Sequence, residues 1–468
     1  MQIFKTIDEK DCRFFIELLT EKYVLTDSEN LQRCASDHTE DFVYLPEVVL
    51  QPATTADVSA IMRYCHTQHI AVTPRGAGTG LSGGALPVNG GVVLDMKRFN
   101  QILDIDTRNF QVTTEPGVIT QVLMDAVKEK GLMYPPDPAS KGSCFIGGNV
   151  SESSGGPRAV KYGVVKDYVL NLEIVLADGT VMMTGANVLK NATGYNLTQL
   201  MVGSEGTLAI ITKIVLRLIP AVTQNLLLLV SFRSAVEACE AVNAILLTGC
   251  LPSALEFMER DAIAWSMQYV QQSAIHLPED IEAHLLIELD GTAMEPLYAD
   301  VEIITQALAQ YDTDEILFAD SYEQKEMLWQ LRRKVGEAVK SNSVYKEEDT
   351  VVPRACLPEL LKTVKAIGKK YGFHSVCYGH AGDGNLHVNI VKQAMSDEDW
   401  NYKLPEGIAE LFRAVVEMGG TISGEHGIGW VQKNYMDIAF DEASIQLMKA
   451  IKQVFDPTGI LNPGKLFK

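Results

Sequence analysis

The chain lacks the features of secreted, membrane-spanning and nucleic-acid-binding proteins. Its longest apolar runs, such as LLLLV, have the length of strands and fall short of the ~20 residues that span a bilayer. The first residues, MQIFKTIDEKDCRFFIELL, carry acids where a secretory leader needs a basic head. The formal net charge of −20 repels phosphate backbones, so neither nucleic acid nor an anionic membrane surface is expected as a partner. We expect a cytoplasmic protein without a transmembrane segment.

Cysteine is sparse and scattered. The eight cysteines form no CxxC pair, so neither a disulfide framework nor an iron–sulfur cluster is expected within the chain. Reduced, buried thiols are the simplest interpretation. The 47% hydrophobic and 21% charged residues form an ordinary globular balance. A length of 468 residues allows about three domains.

Hydrophobic periodicity predicts an α+β architecture. A helix capped by Thr54 or Thr55 precedes the strand IAVTP, and strands then dominate between 92 and 218, interrupted by one helix, VITQVLMDAVKEK. The second half mixes strands such as NLLLLVSF with helices, among them EMLWQLRRKVGEAVK. We predict an N-terminal helical segment (1–41), a first domain (42–220), a second domain (221–430) and a C-terminal segment (431–468).

Three glycine-rich loops in the first domain are the first chemical signal. PRGAGTGLSGGA, residues 74–85, carries five glycines whose backbone amides can approach phosphate oxygens closely. It contains GxGxxG, but a turn and a strand follow where a dinucleotide-binding βαβ unit needs a helix, so we reject the Rossmann interpretation. The other loops are YPPDPASKGSCFIGGNVSESSGG (134–156) and VGSEGTLAIIT (202–212). Together they indicate a long ligand held at several points, with flexible loops as the alternative.

These loops resemble the FAD-binding domain of the vanillyl-alcohol-oxidase-type flavoproteins. Within that superfamily the chain is most similar to the branch of the D-lactate dehydrogenases, the glycolate oxidase flavin subunit and D-2-hydroxyglutarate dehydrogenase. The resemblance implies a two-subdomain, PCMH-type FAD-binding domain and an α+β substrate-capping domain. It also implies a tail that returns to the flavin.

The resemblance assigns the cofactor contacts. Residues 75–84 would form the pyrophosphate loop, residues 136 and 147–149 would line the isoalloxazine and ribityl region, and residues 205, 206 and 211 would hold the adenine end. Thr79 stands where many relatives attach flavin through a histidine, so non-covalent FAD is expected. The implied contacts are Arg75, Gly76, Ala77, Gly78, Thr79, Gly80, Ser82, Gly83, Gly84, Pro136, Gly147, Gly148, Asn149, Glu205, Gly206, Ile211 and, from the tail, Asn462.

Two histidines in CYGHAGDGNLHVNIV are the second chemical signal. His380 and His387 would point to opposite faces of one straight strand, because their separation is odd. AGDGN is turn chemistry, however, so a strand, a turn and a returning strand could bring both imidazoles onto one face, which Asn389 would share. Taken alone, two histidines at this spacing are more often structural than functional.

The segment GGTISGEHGIGW changes those odds, because it places Glu425 and His426 among five glycines. Two imidazoles and a carboxylate can form a facial metal site with open positions. The segment resembles the family's GEHGIG signature, which implies a divalent metal at His380, His387 and Glu425 and makes His426 the catalytic base. Zinc is the usual metal in the family, with manganese or iron as alternatives.

The substrate contacts also come from the resemblance. A substrate carboxylate needs a cationic partner. Arg332 and the two cations that follow it cannot all share one helix face, and the family pattern selects Arg332. Lys346 and Asn389 are its further implied substrate contacts. Gly336 stands where the hydroxyglutarate-oxidising members carry a hydroxyl residue, and the nearby KEEDTVVPR run is more acidic than theirs.

The predicted function is therefore FAD-dependent oxidation of a small D-2-hydroxy acid to the 2-keto acid, with D-lactate favoured, glycolate next and D-2-hydroxyglutarate as the alternative. An external electron acceptor or a partner electron-transfer subunit would reoxidise the flavin. Attachment to the inner membrane through such a partner stays open. Two other classes also stay open: a metal-dependent hydrolase that uses the same three ligands, and a flavin subunit that only relays electrons within a complex.

Overall fold

The computed structural model describes residues 4–39, 42–271 and 275–468. It mixes helices and sheets, which confirms the predicted α+β class. Residues 1–3, 40 and 41 of the predicted N-terminal segment lie outside the described residues. Among the described residues, none of the helices combines the length and the apolar character that a membrane crossing requires.

The helices and strands are numbered separately in chain order. The helices are α1 (Glu9–Leu19), α2 (Ser28–Arg33), α3 (Thr55–Gln68), α4 (Thr120–Lys128), α5 (Ile146–Glu152), α6 (Ala159–Tyr162), α7 (Leu197–Met201), α8 (Ala235–Leu247), α9 (Arg260–Tyr269), α10 (Met294–Leu308), α11 (Tyr322–Arg333), α12 (Val335–Asn342), α13 (Leu357–Tyr371), α14 (Leu404–Glu417), α15 (Met436–Ala439) and α16 (Glu442–Phe455). The strands are β1 (Val24–Leu25), β2 (Val48–Leu50), β3 (Val72–Arg75), β4 (Val92–Asp95), β5 (Ile102–Asp106), β6 (Gln111–Thr114), β7 (Leu132–Met133), β8 (Val169–Val175), β9 (Val181–Met183), β10 (Ile210–Arg217), β11 (Ile219–Pro220), β12 (Gln224–Phe232), β13 (Ala254–Glu259), β14 (Ala283–Gly291), β15 (Thr313–Ala319), β16 (Tyr345–Val351), β17 (His374–Gly379) and β18 (Asn385–Val391).

The chain divides into two compact units. Unit 1 comprises Met1–Ser154, Val164–Ala221 and Glu425–Lys468, and unit 2 comprises Gly155–Gly163 and Val222–Gly424. Each unit is therefore assembled from segments that are distant in the sequence.

Unit 1 contains two larger sheets. In the first, of order β1-β2-β4-β3, β4 pairs in parallel with β2 and β3, and β1 is antiparallel. The C-terminal tail completes its β3 edge, because the Val72 amide donates to the Ile460 carbonyl (2.8 Å) and the Asn462 amide donates to the Val72 carbonyl (2.7 Å). The second sheet, of order β5-β6-β10-β8-β9, is antiparallel throughout.

Helix α3 confirms the predicted helix and cap. Thr54 accepts a hydrogen bond from the Asp57 amide, and the Asp57 side chain accepts one from the Thr54 amide, which makes a capping box. The apolar residues at helical spacing, from Val58 to Cys65, are buried in the core of the first sheet. Local sequence and burial therefore specify the same element.

Unit 2 is built on a seven-stranded antiparallel sheet of order β15-β12-β14-β13-β17-β18-β16. One face carries Tyr378, His387 and Asn389, whose positions alternate along β17 and β18, and we name it the histidine face. Apolar residues of this face form one core with residues of α9, α11 and α12. Side chains from these helices can therefore reach the histidines.

The single helix predicted over EMLWQLRRKVGEAVK is wrong, because the structure has two helices there. Helix α11 ends at Arg333 and α12 begins at Val335, since Lys334 has φ −95° and ψ 3°. Both halves bury an apolar face in the core of unit 2. Gly336 is the second residue of α12, close to the break, and glycine is a weak helix former. Tertiary packing thus overrides a continuous helical period.

One buried histidine makes the stability of unit 2 depend on pH. His284 of β14 is fully buried, and neither ring nitrogen has a hydrogen-bond partner among the described residues. Burial, helped by the charge of Arg260, lowers the pKa of His284 to about 4. The unfolded chain binds this proton near pH ~6.5, so acid favours the unfolded state. The stability from the neutral imidazole is complete above that pH and is lost as the pH falls toward 4.

We expect His284→Leu to remove this loss. Between pH 7 and pH 5 the histidine should lower the unfolding free energy of the wild type by about 2 kcal/mol. The reason is that stability falls by about 1.4 kcal/mol for each pH unit below the unfolded-state pKa of about 6.5. Urea unfolding of both proteins at the two pH values measures the difference. The control is His276→Leu, which changes an exposed histidine of the same unit. If His284→Leu keeps the wild-type pH dependence, His284 is not its source.

Candidate active site

The first glycine-rich loop leaves β3 at Arg75 and contains no helix, as predicted. Gly78 has φ +73°, a left-handed backbone conformation that strains any residue with a side chain and so favours glycine. Arg75 Nη1 and Ser82 Oγ are buried and have no hydrogen-bond partner among the described residues. An unmade bond of this kind costs about 1–3 kcal/mol, so the two groups fit a polar ligand such as a phosphate. The other predicted contacts of this loop are half-buried or, at Gly83, buried: Gly76, Ala77, Thr79, Gly80, Gly83 and Gly84.

The second glycine-rich stretch is not a loop throughout, which corrects the sequence interpretation. Gly147, Gly148 and Asn149 lie in α5. Ile146 and Val150 of this helix are fully buried in the core of the second sheet, and this burial outweighs the cost of about 1 kcal/mol for each glycine. The side-chain amide of Asn149 (Nδ2) donates to Thr120 Oγ1 at 2.6 Å. Pro136 is buried in the irregular segment before the helix.

Substitution by alanine is expected to have different effects on stability at the two glycines of α5. A side chain at Gly147 would collide with Pro116, whereas a Cβ at Gly148 would meet no atom within 4 Å. Gly147→Ala should therefore destabilise unit 1 by about 1–3 kcal/mol through overpacking, and thermal unfolding measures the loss. Gly148→Ala is the matched control and should keep the stability. It should weaken FAD binding if the flavin occupies that open space, and equal stability of the two variants would contradict the packing argument.

Glu205 in the third loop binds the glycine-rich segment that follows His426. Its two carboxylate oxygens accept hydrogen bonds from the amides of Ile428 (2.8 Å) and Gly429 (2.6 Å). The Asn462 side chain donates to the carbonyls of Glu205 (2.8 Å) and Gly84 (3.0 Å). The first loop, the third loop and the tail therefore meet within unit 1. Gly206 packs tightly on Pro74, and Ile211 lies in the core of the second sheet.

Charged groups without a role in the sequence analysis surround Glu205. Burial raises the pKa of Glu205 to about 7, against the two amide donors, which lower it. Burial and the Glu205 charge hold the pKa of Glu152 well above its ordinary value. Burial lowers the pKa of Lys465 to about 7. Burial therefore favours the protonated form of Glu152 beside Glu205.

The predicted strand, turn and returning strand is present around the two histidines. Strand β17 ends at Gly379, a short turn spans Ala381–Asp383, and β18 returns antiparallel. The imidazole centroids of His380 and His387 are 5.3 Å apart, and both side chains are buried. Asn389 lies two residues after His387 on the histidine face and is fully buried.

Arg332 is the buried member of its run of three cations. Its side chain lies over the Tyr378 ring (5.0 Å to the centroid), and its Nη2 atom is 2.6 Å from Glu256 Oε2. Glu256 in turn contacts His380 Nδ1 with both oxygens at 2.9 Å. The other two cations are half-buried and pair with neighbours of their own: Arg333 with the Trp329 ring and Lys334 with Glu337.

The strand register argues against the assignment of Lys346 to the substrate. In the pairing of β16 with β18, Lys346 lies opposite Ile390, whereas Glu347 lies opposite Asn389. Paired residues share a face and successive residues alternate, so Lys346 is on the face away from His387. Its ammonium lies 5.5 Å from the Trp400 ring centroid. The residues of β16 on the histidine face therefore include two acids, Glu347 and Asp349.

Glu347 and Asp349 contact His387. Glu347 Oε1 is 3.7 Å from His387 Nδ1 and 3.3 Å from the Tyr378 hydroxyl, while Asp349 Oδ1 is 3.5 Å from His387 Nδ1. Burial and the Glu347 charge raise the pKa of Tyr378 well above its ordinary value, so its hydroxyl stays protonated. Asp349 also accepts a hydrogen bond from the Gly424 amide (2.8 Å). It thereby fixes the last residue before Glu425 and His426.

Sequence reasoning missed Glu256, Glu347 and Asp349, which contact the histidines or Arg332 in unit 2. The signal was present in β13, where Glu256 interrupts the apolar run ALEFM, because a carboxylate in a fully buried strand needs a partner. For Glu347 and Asp349 the signal was weaker, since KEEDT reads equally well as a solvated strand.

Comparison with known proteins agrees with these features. Residues 46–185 match the FAD binding domain family, and residues 222–466 match the family described as FAD linked oxidases, C-terminal domain. In fold, the chain is similar to a p-cresol methylhydroxylase with substrate bound (TM-score 0.80, 19% identity, 100% of this chain and 98% of that chain).

Three similar relatives cover nearly the whole chain. The glycolate oxidase subunit GlcD of Bacillus subtilis (strain 168) is 38% identical over 92% of this chain and 91% of its own length. The D-lactate dehydrogenase of Anaerostipes hadrus is 35% identical over 92% of each chain. The D-2-hydroxyglutarate dehydrogenase of Stutzerimonas stutzeri (strain A1501) is 34% identical over 95% of this chain and 96% of its own. The chain therefore belongs to the FAD-linked oxidases.

Proposed function

We propose that this chain oxidises a small D-2-hydroxy acid, D-lactate before glycolate, to the 2-keto acid. FAD is held non-covalently by the loop of Arg75 and Ser82, and a divalent metal, zinc before manganese or iron, is held by His380, His387 and Glu425. His426 is the catalytic base. The names of the relatives support the substrate class, since they include a D-lactate dehydrogenase and a glycolate oxidase subunit.

The observation that carries the proposal is the buried imidazole pair with Glu256 behind it. With Glu256 accepting at His380 Nδ1, the neutral ring carries its lone pair on Nε2, which is the form that binds a metal. Glu425 directly follows Gly424, which Asp349 holds in unit 2. Two neutral imidazoles and one carboxylate suit zinc and leave positions for a substrate.

The charges in unit 2 favour a substrate with one carboxylate. Arg332 Nε is buried and has no hydrogen-bond partner among the described residues, so it can still donate to a substrate carboxylate. Glu347 places a negative charge on the same face, where a second substrate carboxylate would be repelled. The alternative substrate, D-2-hydroxyglutarate, carries that second carboxylate and is therefore disfavoured.

The chain's own groups then have defined tasks. Arg332 orients the substrate through its carboxylate, and His426 accepts the proton of the 2-hydroxyl as the C2 hydride leaves. Bound FAD supplies the chemistry of a two-electron acceptor. A divalent metal held by His380, His387 and Glu425 would supply Lewis acidity toward the substrate hydroxyl. An external electron acceptor or a partner electron-transfer subunit reoxidises the flavin. The proposed location of the chain is the cytoplasm.

Dye reduction by the purified protein tests this function. The substrates are D- and L-lactate, glycolate and D-2-hydroxyglutarate, each with and without a metal chelator. We expect a yellow protein, fastest turnover with D-lactate, and loss of turnover on chelation. A colourless protein with hydrolase activity would overturn the proposal. A yellow protein without turnover on any of the four acids would favour an electron-relaying subunit instead.

A further inference from the structure

Glu256 joins two functional side chains of unit 2. It lies in β13 with no exposed surface. Both oxygens lie 2.9 Å from His380 Nδ1, and Oε2 also lies 2.6 Å from Arg332 Nη2. These residues come from three separate elements: β13, the end of β17 and α11. One carboxylate thus contacts the proposed metal ligand and the proposed substrate clamp.

The buried carboxylate is paired on both sides. A buried charge is stable only when it is paired and hydrogen-bonded, and the Arg332 guanidinium provides the pairing. The contact with Arg332 is an ion pair, whereas a ring N–H of His380 that donates to this carboxylate forms a charge-assisted hydrogen bond, which is about twice as strong as a neutral one. Acceptance at Nδ1 fixes both the tautomer and the ring orientation of His380. Arg332 Nη2 is ion-paired with Glu256, and neither Nη2 nor Nε has a hydrogen-bond partner among the described residues, so the guanidinium can still donate to another acceptor.

We propose that Glu256 is a positioning residue that couples metal retention at His380 to the orientation of Arg332 toward the substrate carboxylate. This inference rests on the proposed function. Loss of the charge at position 256 weakens metal binding, because a neutral amide oxygen accepts from His380 Nδ1 more weakly than a carboxylate and so orients the ring less firmly. The same change releases Arg332, so substrate binding weakens in the same variant.

The test is Glu256→Gln, an isosteric change that removes the charge. We expect the Kd for zinc to rise about 10- to 100-fold, the usual effect of removing an outer partner of a ligating histidine. We expect the KM for D-lactate to rise about tenfold, with FAD content unchanged. Zinc affinity is measured on chelator-treated holoprotein by competition with a chromogenic chelator, and KM is measured at saturating zinc.

A matched control lies on the same strand. Glu259 is also a buried carboxylate of β13, but it contacts Lys365 (2.8 Å) and the Cys377 amide (2.7 Å). Glu259→Gln should leave zinc affinity and KM at wild-type values. Glu256→Asp keeps the charge on a shorter side chain and should recover part of both losses. Should Glu256→Gln not fold, Glu256→Asp carries the same two measurements.

The outcomes separate this inference from the proposed function. Wild-type protein that binds no zinc overturns the metal site and the inference together. If the wild-type protein binds zinc and the Glu256→Gln variant binds it with equal affinity, only the inference is overturned and the metal site stands. A variant that loses zinc affinity but keeps the KM at saturating zinc overturns the coupling to Arg332. Loss of both, with Glu259→Gln unchanged, supports the proposal.

Discussion

Replacing His426 by Asn is expected to abolish the bleaching of the flavin by D-lactate while leaving a yellow holoprotein. Asparagine keeps a polar side chain of similar reach but cannot accept the hydroxyl proton at neutral pH. A positioned general base contributes about 10²- to 10⁴-fold, so the rate of bleaching should fall about 10³-fold. Anaerobic stopped-flow absorbance at the flavin band measures this rate directly.

The control for that experiment is His374→Asn, which changes a half-exposed histidine paired with Asp261. It should bleach at the wild-type rate. FAD content and zinc content are measured on both variants, so that loss of either group is not mistaken for loss of the base. If His426→Asn bleaches at near wild-type rate, His426 is not the base.

Removing the charge of Glu347 is expected to relax the choice between monocarboxylate and dicarboxylate substrates. Two carboxylates about 6 Å apart repel by about 3 kcal/mol at an effective dielectric constant of about 20. Glu347 has a side-chain exposure of only 12%, so solvent screens little of this. In Glu347→Gln the kcat/KM for D-2-hydroxyglutarate, relative to D-lactate, should rise about tenfold or more.

The neighbouring residue is a matched control for Glu347. Glu348 is buried and lies opposite Val388, on the other face of the sheet. Glu348→Gln should leave the ratio of the two kcat/KM values unchanged. A Glu347→Gln variant with the wild-type ratio would show that Glu347 does not discriminate between the substrates.

The sequence was sufficient to predict those elements in which local signals, such as a cap or turn residues, agree with the pattern of burial in the core. Helix α3 has both a capping box and an apolar period, and the turn between β17 and β18 has its own turn residues. From these the sequence could also predict that His380 and His387 approach each other. By resemblance alone, the glycine loops indicate FAD, and the GEHGIG motif indicates a metal ligand and a catalytic base.

Features decided by tertiary packing could not be predicted in this way. Helix α5 forms through two glycines because its apolar residues are buried in the core of the second sheet. The face on which Lys346 lies depends on the strand register, and a change of register by one residue would move it to the other face. Glu256 lies 124 residues from His380, and no local pattern connects them. The inclusion of Gly155–Gly163 in unit 2 likewise depends on long-range contacts, among them Lys161 with Asp290 at 2.6 Å.

The tail strand beside β3 has a consequence for folding during synthesis. The edge of β3 at Val72 is completed only by residues 460–462, which leave the ribosome after all of unit 2. Until then the nascent unit 1 presents an open, parallel sheet edge, the kind of surface at which chains associate wrongly. All residues of unit 2 are synthesised before residues 460–462, because its last segment ends at Gly424. We therefore expect unit 2 to fold first and the flavin-binding unit to close only once residues 460–462 have been synthesised.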